Sequence, residues 1–588
     1  MHLLQTAALI LLLQSAAPQT LQTLPTEKAS IEGIVLRASS GEPLGRAQVR
    51  LSRVMSEEET GFFVFDPSQV SEIPPFLTEA DGKFIFKDID PGPYRLTVQR
   101  NGYSEQAFGQ KSPTTSGSII NLAPGERSKN IDFRLVQGGV ITGRIRDSAG
   151  EPVAGLNVSL MQLRYSGDDG RRVMEAVEQA VTDDRGEYRF YWIAPGRYFI
   201  SAIRNPYSYQ PRVVFDRVIP TTYYPGVPDP SQASFIEVSP GAELGAIDIV
   251  LPQASGYRIK GRVIDASTGK PPKSANVELG HRQRKAIVNP TEENKAEYNP
   301  SNGDFEMRNV SPGAYWLSAS LQSDFSQPLS ESLLADVRAG DVRTGADVFE
   351  TVFRTEASTR IPIDMLSSDL NGVILTLTKG AVIPVRLIRE DQPFSLDQGL
   401  DSVRVSLIVP DSYFLGGGST RPSSEGMTRI EGVNPGEYRV QVWLAQAKDF
   451  YVKEIRYGRI DALRDTLQIS EQSPEALTVL LSTRGGIVEG ILHDALSQPL
   501  SGVDVMLIPD RRDEKDLYRK VTTDREGRFV FRSLAPGGYK VFSWEALESN
   551  AYYDAEVLAR YEIQGEHVQV QESSKETVDL KIIPPPRQ

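Results

Sequence analysis

The 588-residue chain contains no cysteine, which excludes disulfides, thiolate metal sites and a cysteine nucleophile together. Histidine is nearly as scarce. None of its four residues, His2, His281, His493 and His567, opens the His-x-x-Glu spacing that brings imidazole and carboxylate onto tetrahedral zinc. A serine nucleophile has no Gly-x-Ser-x-Gly elbow, and "GGGST" at 416–420 reads as a plain loop. No basic stripe interrupts a net charge of -13, which disfavours a phosphate-binding surface and therefore nucleic acid. Beyond the N-terminus, Pro or charge breaks every stretch before the roughly 18 apolar residues of a spanning helix. These gaps lead us to expect no catalytic residue, no metal, no cofactor and no membrane span.

What is present begins with "MHLLQTAALILLLQSAA". The apolar run Ala8 to Leu13 followed by Ser15, Ala16 and Ala17 reads as an export signal over residues 1–17. It implies a periplasmic or extracellular location. Gly (48) and Pro (39) are both abundant, which favours many turns.

One unit dominates the pattern: "GKFIFKDIDPGPY" returns as "GEYRFYWIAPGRY", "GDFEMRNVSPGAY" and "GRFVFRSLAPGGY", with a weaker copy at Gly426. Its tyrosine falls at Tyr94, Tyr198, Tyr315, Tyr438 and Tyr539, a domain-sized period. Phe84, Phe86 and Ile89 are apolar while Lys83, Lys87 and Asp88 are polar, as on a strand with one buried face. The leading Gly follows polar residues such as "EADG" and "DREG", where a hairpin loop needs positive φ. Pro-Gly then turns the chain into a second strand, so the two strands are expected to form a meander. The acidic loop residues Asp183, Asp184 and Asp524 are accounted for by turn chemistry without calcium.

Each copy opens with a short strand, "IEGIVLR", "ITGRIRD", "IKGRVID" or "VEGILHD". In the fourth, "IPVRLIR", Pro384 predicts an edge strand. A turn and second strand follow ("GEPLGRAQVRL", "GEPVAGLNVSL"), and closing strands such as "KNIDFRL" and "ETVDLKI" end the copies. About seven strands per roughly 100 residues read as an all-β chain of tandem β-sandwiches. Only 552–561 looks helical. The order xxGxVxD, GxPxxxAxVxL, TDxxGxFxFxxLxPGxYxLxA resembles the carboxypeptidase regulatory-like domain, in five tandem copies, the fourth divergent. The resemblance implies a seven-stranded prealbumin-like Greek-key sandwich and accessory rather than catalytic modules. It divides the chain into sandwiches at 28–136, 139–253, 257–378, 380–482 and 485–583. Their short linkers predict an elongated semi-rigid string with distant ends.

Counted from each Pro-Gly-x-Tyr, even offsets should face the core. Odd offsets place Phe199, Ile203, Trp316, Trp443, Phe542 and Trp544 outside it. Sugars stack on flat exposed aromatics, but such rings also fill seams between domains. Trp316, Trp443 and Trp544, with the loop tyrosines Tyr207, Tyr209, Tyr223 and Tyr224, are the candidate ligand-binding residues. The expected partner is a carbohydrate or an extracellular protein, and the expected state a monomer.

Overall fold

The computed structural model describes residues 27–54, 73–167, 170–204, 219–253, 256–282, 295–321, 357–410, 419–444, 446–470 and 475–585. The expected export signal at 1–17, Tyr207 and Tyr209 lie outside the described residues. The chain is all-β, a series of two-layer sandwiches with prealbumin-like topology, and the helix Ala555–Ala559 sits where the sequence looked helical. In unit 1 the opening strand Ala29–Arg37 lies between Lys83–Ile89, antiparallel, and the closing strand Arg127–Leu135, parallel. The facing sheet is built on Gln48–Arg53 and Gly92–Gln99. Units 3 and 5 repeat this order, unit 2 does so with a closing strand in two short pieces, and unit 4 adds to it.

Alternation fills the space between the layers. Ile31, Val35, Phe84, Leu96 and Phe133 belong to one cluster drawn wholly from unit 1, and four further clusters span 141–251, 259–377, 381–481 and 488–580. The even-offset residues Leu96, Val98, Ile200, Leu317 and Val541 are fully buried, as the strand period requires. Unit 5 carries a sixth, smaller cluster on the outer side of its second sheet, joining Phe542 and Leu558. Phe542, expected to face outward, is therefore buried beneath the helix.

The expected meander does not form. Lys83–Ile89 and Gly92–Gln99 lie in different sheets, so Pro-Gly is a corner that carries the chain from one layer to the other. The tyrosine secures that corner. Tyr94 Oη donates to Asp90 O at 2.9 Å, and Tyr198, Tyr315, Tyr438 and Tyr539 each donate to the carbonyl four residues back at 2.7 to 3.0 Å. A buried hydroxyl needs such a partner, which is why this ring is tyrosine in every copy while its neighbours vary. The loop before the repeat also crosses between sheets, except in unit 3, where Glu297–Tyr298 pairs with Asp304–Val310 as a hairpin. Its glycine does need positive φ: Gly82 has φ 71°, and a Cβ there would lie 2.6 Å from Val35 O. Asp183 and Asp524 cap their own loops, each accepting two backbone N–H groups.

Two further expectations are corrected. Pro384 sits in a central strand, because Ala381–Arg389 lies between Met427–Val433 and Leu477–Ser482. The parallel ladder starts only at Val385, one residue later, so the missing N–H falls where that neighbour offers no partner. Nor does the chain extend as a string. Unit 5 returns to unit 1, where Asn121 Nδ2 donates to Thr523 O at 3.0 Å and Arg525 pairs with Glu126 at 3.3 Å. It also reaches unit 2, where Arg172 pairs with Glu548 at 3.0 Å. The linker between units 1 and 2 is pinned on both sides: Gly138 N donates to Gly102 O, and Gly241 N to Gln137 O, each at 3.0 Å. Fixed bends accumulate until the last unit meets the first two.

Candidate binding groove

A repeated irregularity places the site. Opposite the start of each opening strand, the register of the Lys83–Ile89 type of strand slips by one residue. The residue at the slip takes a left-handed conformation in all five units: Asp88, Trp192, Asn309, Gly432 and Ser533, with φ between 53° and 72°. Asp, Asn and Gly tolerate this region, and Ser is small, whereas a bulky aromatic is a strained exception. Trp192 is that exception. Gly138 packs against it so closely that a Cβ would come within 2.4 Å of Trp192 Cα.

Trp192 is half-buried and meets the exposed Tyr191 edge to face, with ring centroids 4.8 Å apart. The pair lines a groove of about 530 Å³ between units 1 and 2. Across from it lie Thr115 and Ser116 of unit 1. The floor is supplied by Gln162 and Arg164 on strand Leu156–Tyr165 of unit 2. Gln162 is only 6% exposed, and its Oε1 accepts from Arg164 at 3.1 Å. Buried Arg164 Nε has no hydrogen-bond partner among the described residues, and a carboxylate oxygen of Glu175 lies 4.0 Å from it. A buried donor without a hydrogen-bond partner is costly and marks a place where a ligand oxygen completes the set. Tyr198 lies beside them, its pKa pushed up to about 12 by burial against the opposing effect of Arg164, so it stays neutral. The charges lining the groove balance, Arg95 and Arg164 against Glu105 and Glu178.

Among the described residues, those picked from the sequence are not brought together. Trp316 has Arg360 stacked on its ring at 4.3 Å, and burial lowers the arginine's pKa against the opposing effect of Tyr438 of unit 4. It serves a seam between units 3 and 4, where Asn434 also bonds Ser358 at 3.0 Å. Trp443 is half-buried at the end of its strand, in register with Arg404. Trp544 stacks on Phe542 at 5.1 Å and meets Tyr561 edge to face, inside the outer cluster of unit 5. Tyr223 is buried in a pairing with Ser201, and Tyr224 packs against the core of unit 2. The groove residues Tyr191, Trp192, Gln162 and Arg164 were not singled out from the sequence. Their signal is visible on aligning the five copies: a tryptophan stands where the others carry Asp, Asn, Gly or Ser.

A second cavity, of about 310 Å³ in unit 4, is lined by Lys453, Asp461 and Arg464. Those charges are already paired, Lys453 with Glu572 at 2.6 Å and Arg464 with Asp461 at 2.8 Å. Among the described residues, no group of histidine, aspartate and glutamate converges as a metal site.

Residues 30–136 match the family model of the carboxypeptidase regulatory-like domain. The chain resembles that domain in tandem copies, since the strand order and tyrosine corner of unit 1 recur along it. No curated protein matches the sequence. Among solved structures, the Bacillus anthracis TIE protein is similar at 13% identity and a TM-score of 0.15, covering 60% of this chain and 51% of its own. This chain thus spans about half the length of that protein. The minor pilin GBS52 of Streptococcus agalactiae is similar at 14% identity and a TM-score of 0.20, covering 39% of this chain and 98% of its own. The shaft pilin SpaA of Lactobacillus rhamnosus GG follows at 12% identity and 0.17, covering 39% and 99%. At such scores the architecture rests on the chain's own sheets and cores.

Proposed function

We propose that this protein is a secreted, monomeric, non-enzymatic binding scaffold that holds a short neutral carbohydrate between its first two units. The five units divide at 28–136, 139–253, 257–378, 380–482 and 485–583. The observation that carries the reading is Trp192, a bulky ring in a conformation that its counterparts fill with small or polar residues, set beside the Gln162 amide and the unpartnered Nε of Arg164. Strain of this kind persists where the surroundings hold it, and it clusters at ligand clamps. A flat ring with convergent donors suits a sugar, which offers an apolar C–H face and hydroxyl acceptors, and balanced rim charge favours a neutral one. Among the described residues no helix is long and apolar enough to cross a membrane.

The test is retardation of the full chain in affinity gels across a panel of neutral polysaccharides. Wild type is slowed in at least one gel, and Trp192→Asn is not, while its melting temperature stays at or above that of wild type because Asn suits left-handed φ. Unchanged migration in every gel would sink the reading. Loss through Trp443→Ala or Trp544→Ala, with Trp192→Asn unaffected, would move the site to those residues.

A protein partner is the second reading, favoured by the open edge of unit 3. Its closing strand Leu370–Leu377 ends a sheet with Ile374 61% exposed, and an edge of that kind accepts an added strand.

A further inference from the structure

We propose that segment 545–550 of unit 5 is a staple across the two walls of the groove, coupling ligand affinity to the docking of unit 5. This rests on the groove being the binding site. Its argument is the order in which the segment's contacts fall. Glu545 pairs with Lys111 of unit 1 at 3.5 Å. Glu548 pairs with Arg172 of unit 2 at 3.0 Å. Ser549 returns to unit 1, its N donating to Thr114 O at 3.2 Å and its hydroxyl lying 3.2 Å from that of Ser116. Asn550 goes again to unit 2, donating to Tyr165 O at 3.3 Å. Four residues thus alternate between the two units whose separation sets the groove's width.

Both contacted elements are walls. On the unit 1 side, residues 109–119 carry Thr115 and Ser116 into the groove. Between its apolar stems, Phe108 packed against Phe133 and the buried Ile120, this loop is held by polar ties: Gln110 bridges Ala107 N and Thr115 O, and Thr115 closes on Ser112. Its far end is fastened to unit 5 by Ile119 N, which donates to Gly502 O at 3.3 Å. On the unit 2 side, Tyr165 and Arg172 end the two paired strands that bear Gln162, Arg164 and Glu178. Gly170, between them, lies against the Tyr553 backbone so closely that a Cβ would come within 2.3 Å. A loop whose span between its stems is tied by polar contacts opens readily, so its order depends on what covers it. Linkage makes the effect mutual: a ligand that binds the closed groove better draws unit 5 down, and docked unit 5 raises affinity by the same factor.

The chain's lack of cysteine makes the docked state measurable in the full-length protein. Ser116→Cys with Ser549→Cys should form an intramolecular disulfide under mild oxidation at a yield independent of protein concentration. Glu545→Lys with Glu548→Arg should suppress that crosslink and raise hydrogen exchange at 109–119 and 165–172 by about tenfold. Adding Lys111→Glu with Arg172→Glu should restore both. A cysteine pair that does not crosslink, or wall exchange that is unchanged once the crosslink is lost, overturns the staple. None of these readouts needs a sugar, so a protein that shows them yet migrates freely in every polysaccharide gel loses the carbohydrate reading and keeps the staple. Where a polysaccharide does bind, equal affinity for the oxidised and the charge-reversed forms overturns the coupling.

Discussion

Units 1 and 4 fill the same position in the sandwich with opposite residues. In unit 1, Gly33 faces Phe84 across the antiparallel pair, and a Cβ on the glycine would lie 2.7 Å from the Phe84 ring and 1.9 Å from Ile131 O of the closing strand. Units 2, 3 and 5 repeat the pairing as Gly143 with Tyr188, Gly261 with Phe305 and Gly490 with Phe529. In unit 4 the register puts Val385 opposite Thr428, with Val385 fully buried. A large ring over no side chain has become a branched side chain over a small one. The sum of volumes is what the core reads, and either partition satisfies it. The closing strands differ too: Arg127–Leu135 ends its sheet, whereas Leu477–Ser482 is covered by an added strand, Tyr451–Tyr457.

The largest expected effect breaks this comparison at its tightest point. Gly33→Val should destabilise unit 1 by about 3–5 kcal/mol, because the new Cβ meets a backbone carbonyl that cannot turn aside. Adding Phe84→Thr should recover only part of that in urea denaturation, since the Ile131 contact remains. The reciprocal change, Val385→Gly, should cost about 2–4 kcal/mol through a cavity and a freer strand, and Thr428→Phe should recover much of it. Full recovery in unit 1, or none in unit 4, would show that ring volume is not the deciding quantity.

A smaller effect should be common to both units. Tyr94→Phe and Tyr438→Phe each remove the hydroxyl that fastens the corner, and each should lower stability by about 1–2 kcal/mol in equilibrium unfolding. A clear difference between the two would mean that the corner is not the shared element it is taken to be here.

The smallest separates the units by pH. Glu390, at the junction of units 4 and 5, accepts from Lys453, Ser482 and Arg484, which hold its pKa down to about 2. A carboxylate whose pKa is depressed by folding stabilises above its unfolded pKa, and that contribution fades as pH falls toward the folded value. Calorimetry between pH 5 and about 2 should therefore show the transition of units 4 and 5 moving down further than that of unit 1. Glu390→Gln should remove the difference. Glu390 is partly exposed, so screening keeps the effect modest.

Much of the scaffold could be read before any coordinates. The recurring Gly-x-Phe-x-Phe and Pro-Gly-x-Tyr spacings located the strands, and the two-residue period assigned Leu96, Ile200 and Leu317 to the interior. Pairing partners were not legible in the same way. Pro-Gly suits a hairpin turn and an inter-sheet corner equally well, and it is the Tyr94 bond to Asp90 that identifies the corner. The Pro384 expectation went wrong for a related reason: a missing N–H constrains one side of a strand, and only the ladder shows which side. Trp544 was rightly placed off the main core, but its cover comes from a helical segment whose docking has no periodic signature.

The amino-acid order alone set the composition of each sandwich, because burial every second residue and turn stereochemistry act over a few positions and leave their mark along the chain. Tertiary structure alone decided that Trp192 shares a groove with Thr115 of the preceding unit and that Glu548 faces Arg172 hundreds of positions earlier. Such meetings depend on the bend at every linker, and a bend is fixed by many weak contacts at once rather than by any short run of residues.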